Sequence, residues 1–124
     1  MRGGQSELAR PIPEEDTMKR IGQVIALPPE NLEEYRRLHA EVWPEVLDMI
    51  RKCNMRNYSI FYRDGMLYAY FEYVGDDYEA DMRKMAADPK TQEWWAICGP
   101  LQRPLEDRAP GEWWAHMEGV FHTD

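Results

Sequence analysis

Two neighbouring stretches of the chain alternate between apolar and polar positions and predict a pair of strands. Residues 57–62 and 66–73 are rich in aromatic side chains and keep a period of two. Asp64-Gly65 lies between them, and Asp-Gly between two such runs is a strong short-range signal for a β-hairpin. One face of the first strand would then present Tyr58, Ile60 and Tyr62.

A weaker alternation and a pair of prolines define the start of the predicted fold. Residues 19–27 read as a first strand, which Pro28-Pro29 ends. The following residues repeat their apolar side chains at helical spacing and predict a helix from the prolines to about Trp43. Pro44 should kink or restart this helix, because a proline inside a helix loses a hydrogen bond and clashes with the preceding turn. A second helical piece is predicted over residues 45–53.

The inward stripe of this helix contains two polar rings. Its members are Leu32, Tyr35, His39, Val42, Val46 and Met49, and charged residues occupy the opposite side. Residues four apart share a helix face, so Tyr35 and His39 should point inward together. Buried histidines are often simply hydrogen-bonded to a backbone carbonyl. The spacing therefore leaves a structural and a functional interpretation of His39 open.

Two further helices are predicted after the hairpin. Residues 76–79 have the Asp-x-x-Glu form of a capping box and would start a helix that runs to about residue 87. Asp88-Pro89 is expected to end that helix. A short helix over residues 92–98 follows and stops at Gly99-Pro100. This helix contains Trp94-Trp95, side chains that either fill the core or stack on a ligand.

The order of these elements predicts an α+β fold. Residues 101–111 read as a loop and residues 113–121 as a final strand, which completes the order strand, helix, strand, strand, helix, strand. This is the split β-α-β pattern of the ferredoxin-like fold, with an antiparallel sheet. One sheet face lies under the helices, and the bare face would present aromatic side chains. A ligand or a second copy of the chain should cover such a patch.

Length and charge narrow the class of protein. A chain of 124 residues suits one domain over residues 18–124, and we expect a flexible arm over residues 1–17, which lack apolar periodicity. The 15 basic and 23 acidic residues give a net charge of -8, which argues against a nucleic-acid partner. We expect a cytoplasmic protein, because no apolar run approaches the roughly 20 residues of a membrane span and the N-terminus lacks a signal-peptide core. Cys53 and Cys98 lack metal-binding spacing and should be reduced thiols.

The remaining candidate chemistry belongs to histidine, tyrosine and tryptophan. The sequence has no P-loop, GxSxG, HExxH or GxGxxG motif, which removes the usual support for phosphate binding, a nucleophile elbow or zinc hydrolysis. His116 and His122 share one face of the predicted last strand. Neither has a recognisable partner in the sequence, so a structural or solvated role is favoured for both.

Several ordered motifs resemble the L-rhamnose mutarotase family, from Lys19 to the C-terminus. They are residues 34–39 (EYRRLH), 43–45 (WPE), 57–60 (NYSI), 94–95 (WW) and 117–122 (MEGVFH). The resemblance implies a ferredoxin-like dimeric α/β barrel with a proton-donor role for His39. It also implies that the sugar is contacted by Tyr35, Tyr58, Trp94 and Trp95. The chain departs from the family at Gly119, where members commonly have Glu, and in the extra residues 1–17.

The reaction implied by this resemblance interconverts the α and β anomers of L-rhamnose or a related deoxy pyranose. A proton reaches the ring oxygen while another leaves the anomeric hydroxyl, and the C1–O5 bond opens and recloses. No redox step occurs, so no metal or organic cofactor is expected. An imidazole that titrates near neutral pH suits both proton transfers. The expected partners are a small-molecule sugar and a second copy of the chain in a homodimer, with no membrane.

Two alternatives from other functional classes stay open at the level of sequence. Ferredoxin-like dimers also serve as small monooxygenases that act on haem or quinols, a hypothesis that rests on fold analogy alone. A non-catalytic sugar-binding or dimerisation module would bind the sugar and leave its anomer exchange unchanged. Measuring that exchange separates these alternatives from a mutarotase.

Overall fold

The computed structural model describes residues 18–124, so the predicted arm over residues 1–17 lies outside the described part of the chain. This part contains strands β1 (Lys19–Ala26), β2 (Met55–Arg63), β3 (Met66–Tyr73) and β4 (Ala115–Met117). Helices α1 (Leu32–Ala40) and α2 (Pro44–Lys52) connect β1 to β2, and helices α3 (Tyr78–Ala87) and α4 (Pro89–Cys98) connect β3 to β4. The strands pair antiparallel in the order β2-β3-β1-β4. The predicted α+β architecture, a split β-α-β antiparallel sheet, is confirmed.

The central hairpin follows from its turn residues. Asp64 and Gly65 both have positive φ angles, 48° and 82°, as a two-residue type I′ turn requires. The Gly65 carbonyl accepts a hydrogen bond from the Leu27 amide at 2.7 Å, which ties the turn to the end of β1. A bulge interrupts the β2–β3 register between Arg56 and Ser59, where Asn57 has a φ of 52°. Met55 and Arg56 still pair with β3 on the N-terminal side of the bulge, so β2 starts two residues before the predicted start.

The core lies between the helices and one face of the sheet. Alternate residues of β3 are buried on that face: Leu67, Ala69, Phe71 and Tyr73. One core cluster contains Ile25, Leu27, Tyr35, Val46, Leu67, Trp94 and Cys98. A second contains Cys53, Met55, Phe71, Tyr73 and Met85. Cys53 and Cys98 are buried and free, as expected.

The helix before Pro44 ends earlier than predicted. Helix α1 stops at Ala40, and Trp43 adopts an extended conformation with a ψ of 136°. A residue before proline avoids the helical region, so the chain leaves the helix before it reaches the proline. Pro44 then occupies the first turn of α2, where its missing N–H costs nothing. The break separates two helices and is not a kink within one.

Two aspartates set the helix starts differently from the prediction. Asp77, not Asp76, caps α3, because its carboxylate accepts a hydrogen bond from the Ala80 amide at 3.1 Å. The predicted capping box is therefore wrong. Asp88 caps α4 by accepting bonds from the amide and the hydroxyl of Thr91, both at 2.9 Å. Helix α4 consequently begins at Pro89, three residues before the predicted start.

The predicted last strand over residues 113–121 is mostly wrong. Only Ala115–Met117 pair with β1, opposite Val24, Gln23 and Gly22. The strand lies at the sheet edge, and Gly119, which weakens a strand, stands just beyond its end. His122 falls outside the strand, and its Nε2 lies 2.9 Å from a carboxylate oxygen of Asp124. His116 and His122 thus do not share a strand face.

Among residues 18–124, no helix covers the other face of the sheet. Across the β2–β3 pair Phe61 faces Tyr68, and these residues are 65% and 39% exposed. Met117 of β4 is 41% exposed. An apolar and aromatic surface is therefore present on this open face, as the alternation predicts. Among the described helices, none has the length and apolar character that a membrane crossing demands.

Candidate active site

A cavity of about 1140 Å³ lies between the helices and the covered face of the sheet. Its lining includes every site residue predicted from the sequence: Tyr35, His39, Tyr58, Trp94 and Trp95. These side chains come from α1, β2 and α4. Folding therefore brings the predicted residues together in one place, while their individual roles stay predictions.

His39 sits in the last turn of α1 and is half-buried. Its Nδ1 donates a hydrogen bond to the Tyr35 carbonyl at 2.8 Å, because a carbonyl oxygen only accepts. The Nε2 atom has no hydrogen-bond partner among residues 18–124. Burial lowers the pKa of His39 below its ordinary value of 6.5, and the bond to the carbonyl opposes this shift only in part. At neutral pH the ring is mostly uncharged, with the lone pair on Nε2.

Tyr35 stacks on His39 and is itself buried. The two ring centroids lie 4.2 Å apart with an angle of 22° between the planes. The Tyr35 hydroxyl oxygen accepts a hydrogen bond from the Gln102 side-chain amide at 3.1 Å. Burial, reinforced by the nearby Tyr58, raises the pKa of Tyr35 far above its usual range. The phenol therefore stays protonated and acts as a hydrogen-bonding group.

Tyr58 reaches the cavity from β2. Its ring packs against Phe71 with centroids 5.5 Å apart, and 37% of the residue is exposed. Burial around the hydroxyl, with smaller contributions from Tyr78 and Cys98, raises the pKa of Tyr58 to about 12. This phenol too stays neutral at physiological pH.

The two tryptophans of α4 differ in environment. Trp94 is 6% exposed and meets both His39 and Trp43 edge-to-face, each pair with centroids 5.3 Å apart. It fills the core and at the same time fixes the imidazole. Trp95 is 46% exposed, so its indole is available to a ligand in the cavity. The core-filling interpretation thus fits Trp94, and the ligand-stacking interpretation fits Trp95.

Several residues from the C-terminal part line the cavity but are not among the site residues predicted from the sequence. These are Gln102, Glu112, Trp113, Trp114 and His116. His116 has two polar neighbours: the Gln23 amide donates to its Nε2 at 3.1 Å, and its Nδ1 lies 3.9 Å from a Glu112 carboxylate oxygen. Trp114 and His116 are two residues apart in the predicted last strand, so the sequence alternation could have placed both on the covered face of the sheet. Gln102 offered no such signal, because its stretch of sequence reads as a proline-containing loop.

The described residues offer no obvious metal site. Within residues 18–124 there is no group of three or more His, Cys, Asp or Glu side chains that could hold an ion. The cavity is lined mostly by aromatic and aliphatic side chains, with two glutamine amides, two histidines and the carboxylate of Glu112. Such a lining suits a neutral organic molecule with hydroxyl groups.

Comparisons with known proteins agree on one family. The model of the L-rhamnose mutarotase family matches residues 20–123. An L-rhamnose mutarotase from Lactiplantibacillus plantarum is 38% identical over 109 residues, which cover 86% of this chain and all of that protein. An L-fucose mutarotase from Xanthomonas campestris is 35% identical, over 71% of this chain and 73% of that protein.

The fold has a matching solved structure. The crystal structure of an L-rhamnose mutarotase from Formosa agariphila superimposes with a TM-score of 0.66 at 22% identity, over 86% of this chain and 99% of that one. The likeness supports the ferredoxin-like fold, and the sequence matches supply the family. The chain belongs to the L-rhamnose mutarotase family and is an isomerase of the mutarotase type.

Proposed function

We propose that this protein interconverts the α and β anomers of L-rhamnose or a closely related deoxy pyranose, with His39 as the proton-transfer group. The observation that supports this most strongly is the imidazole in the cavity. Its Nδ1 is bonded to the helix backbone, so its Nε2 is left to exchange a proton with a bound ligand. The family match supplies the reaction type.

The geometry suggests how the proton moves. The neutral imidazole first takes the proton of the anomeric hydroxyl at Nε2, and the electrons left on that oxygen form the open-chain carbonyl. The C1–O5 bond breaks, and its electron pair stays on the ring oxygen. The imidazolium then returns the proton to that oxygen, which is the donor role implied by the resemblance. Rotation about the C1–C2 bond and the reverse steps give the other anomer, and all atoms and charges balance.

His39 Nε2 can exchange a proton with both the anomeric oxygen and the ring oxygen O5, because both oxygens are bonded to C1 of the sugar. Acid–base catalysis of this kind contributes about 10²–10⁴-fold. Tyr35 and Tyr58, both neutral, would donate hydrogen bonds to the sugar. Trp95 would pack its indole against the apolar C–H face of the ring, because carbon-bound hydrogens cover much of a deoxy sugar. The site requires no redox partner for this reaction.

We also propose an oligomeric state and a cellular location for the protein. Phe61, Tyr68 and Met117 leave an exposed apolar surface on the open sheet face, which would be covered in a homodimer. A homodimer formed through this face is the form we expect. A cytoplasmic location is also proposed, since the net charge of -8 and the sugar-processing family suit it, and cell fractionation checks it.

Saturation-transfer NMR on the anomeric protons tests the activity directly. We expect catalytic amounts of protein to accelerate exchange of L-rhamnose well above the uncatalysed rate. A panel that includes L-fucose, L-mannose and D-glucose then defines selectivity at C6 and at each hydroxyl. If the protein binds these sugars and leaves every exchange rate unchanged, it is a binding module and the proposal fails.

A further inference from the structure

Gln102 joins two cavity side chains that are distant in the sequence. The residue is 7% exposed and follows the 3₁₀ turn Gly99–Leu101 after α4. Its Oε1 accepts a hydrogen bond from the indole N–H of Trp113 at 2.7 Å, and its Nε2 donates to the Tyr35 hydroxyl oxygen at 3.1 Å. Both ends of a buried side-chain amide are thus occupied.

The indole fixes which way the amide points. An indole N–H only donates, so it requires the carbonyl end of Gln102. The NH₂ end must therefore face Tyr35, and the phenol oxygen must accept from it. The hydroxyl proton of Tyr35 is then directed elsewhere, and among residues 18–124 it has no acceptor. Tyr35 lines the cavity, so the proton is available to a ligand oxygen.

We propose that Gln102 is a positioning residue that makes the Tyr35 hydroxyl a permanent hydrogen-bond donor toward the sugar. The inference rests on the proposed function. A ring oxygen has lone pairs and no hydrogen, so a tyrosine fixed as a donor suits it. The stacked imidazole of His39 lines the same cavity. In the proposed mechanism, its Nε2 accepts the proton of the anomeric hydroxyl. Tyr35 would donate to the ring oxygen and His39 would accept from the anomeric hydroxyl, and both of these sugar oxygens are bonded to C1.

Replacing Gln102 by glutamate tests this directly, because the introduced carboxylate keeps an acceptor for Trp113. At pH 7 to 8 it would also accept the Tyr35 proton and withdraw it from the sugar. We expect kcat/KM for anomer exchange to fall about 10-fold, the value of roughly one hydrogen bond. Relative to wild type, this loss should shrink at low pH, where the protonated carboxyl donates again. A loss caused only by weaker folding would not show that recovery.

A double-variant cycle separates positioning from packing. Tyr35→Phe should cost about as much as Gln102→Glu, and the double variant should lose no more than either alone. If Gln102→Glu does not fold, Gln102→Met keeps the shape without a donor and should lose about threefold, again only when Tyr35 is present. Additive losses, or an unchanged kcat/KM in Gln102→Glu, would overturn the inference.

Asn31→Asp is the matched control. Its side-chain amide donates to the Leu101 carbonyl at 3.0 Å, so the same amide-to-acid change perturbs the neighbouring turn without touching Tyr35. We expect exchange per folded molecule, and its pH dependence, to match wild type.

A readout that does not use activity keeps this inference distinct from the proposed function. The ¹³C resonance of the Tyr35 Cζ should move downfield in Gln102→Glu near pH 8, as the phenol donates to the carboxylate, and return on acidification. An unmoved resonance contradicts the role of Gln102 even if wild type is an active mutarotase. A moved resonance in a protein that exchanges no sugar would instead contradict the proposed function alone.

Discussion

His39 and Tyr35 owe their chemistry to the partners that occupy their other polar atoms. The Tyr35 carbonyl binds Nδ1 of His39, which leaves Nε2 as the atom proposed to exchange the proton. The side-chain amide of Gln102 donates a hydrogen bond to the hydroxyl oxygen of Tyr35. The hydroxyl proton of Tyr35 therefore stays available to a ligand. Burial favours the uncharged form of each group, lowering the pKa of His39 and raising that of Tyr35. Both side chains are therefore mostly uncharged at neutral pH.

The lowered pKa of His39 predicts the shape of the pH–rate profile. In the proposed mechanism the neutral ring of His39 takes the first proton, so activity should be full at pH 7 and above. It should decline as the pH falls through a pKa that lies below 6.5. Exchange rates measured from pH 4.5 to 8.5 and corrected for the uncatalysed reaction check this. Activity that is highest in acid and falls as the pH rises through that pKa would mean that the charged ring starts the reaction.

Spacing along the chain predicts the shared position of Tyr35 and His39 but not the position of Gln102. Tyr35 and His39 are four apart on one helix, so their common face is readable from the sequence. Gln102 lies 67 residues from Tyr35 and 11 from Trp113, and only the folded chain brings the three together. No local sequence pattern predicts the role of the Gln102 amide, because its hydrogen-bond partners are brought to it only by the tertiary structure.

Helix α4 presents the tryptophans to the cavity, and its start depends on one carboxylate. Asp88 accepts two hydrogen bonds from Thr91 at the first turn. Asp88→Ala should lower the free energy of unfolding by about 1 kcal/mol, because the first-turn amide of Thr91 loses its partner. Asp88→Asn is the control, since asparagine caps helices about as well as aspartate. Denaturant melts of both variants provide the comparison, and equal stabilities would contradict the assigned cap.

The hairpin turn and the last strand show what the sequence could and could not predict about the elements. The hairpin was readable because Asp64-Gly65 suits a turn with two positive φ angles. The last strand was overestimated because alternation continues past Met117, whereas pairing with β1 does not. An edge strand extends only as far as a neighbouring backbone supports it.

The open face of the sheet determines how the whole molecule would assemble. We expect light scattering at micromolar concentration to give twice the 14.7 kDa chain mass. Phe61→Asp should shift the protein to monomer, because a charge would be buried beside Tyr68 at the interface. Ile97→Asp places the same charge on α4, where the side chain is 43% exposed, and should leave the dimer intact. A wild-type monomer, or a dimer unaffected by Phe61→Asp, would exclude this interface.

The central claim is that one imidazole in the cavity moves the proton. His39→Gln roughly preserves shape and can replace the hydrogen bond to the Tyr35 carbonyl, while an amide cannot titrate. His122→Gln makes the same chemical change outside the cavity and serves as the control. Thermal melts of both variants establish that they are folded.

Saturation-transfer exchange of L-rhamnose, measured per folded molecule in these two variants, is the most direct test. We predict that His39→Gln loses about 10²-fold or more of the catalysed rate with little change in melting temperature, and that His122→Gln matches wild type. A well-folded His39→Gln protein with the wild-type exchange rate would contradict the assignment of His39 as the proton-transfer group.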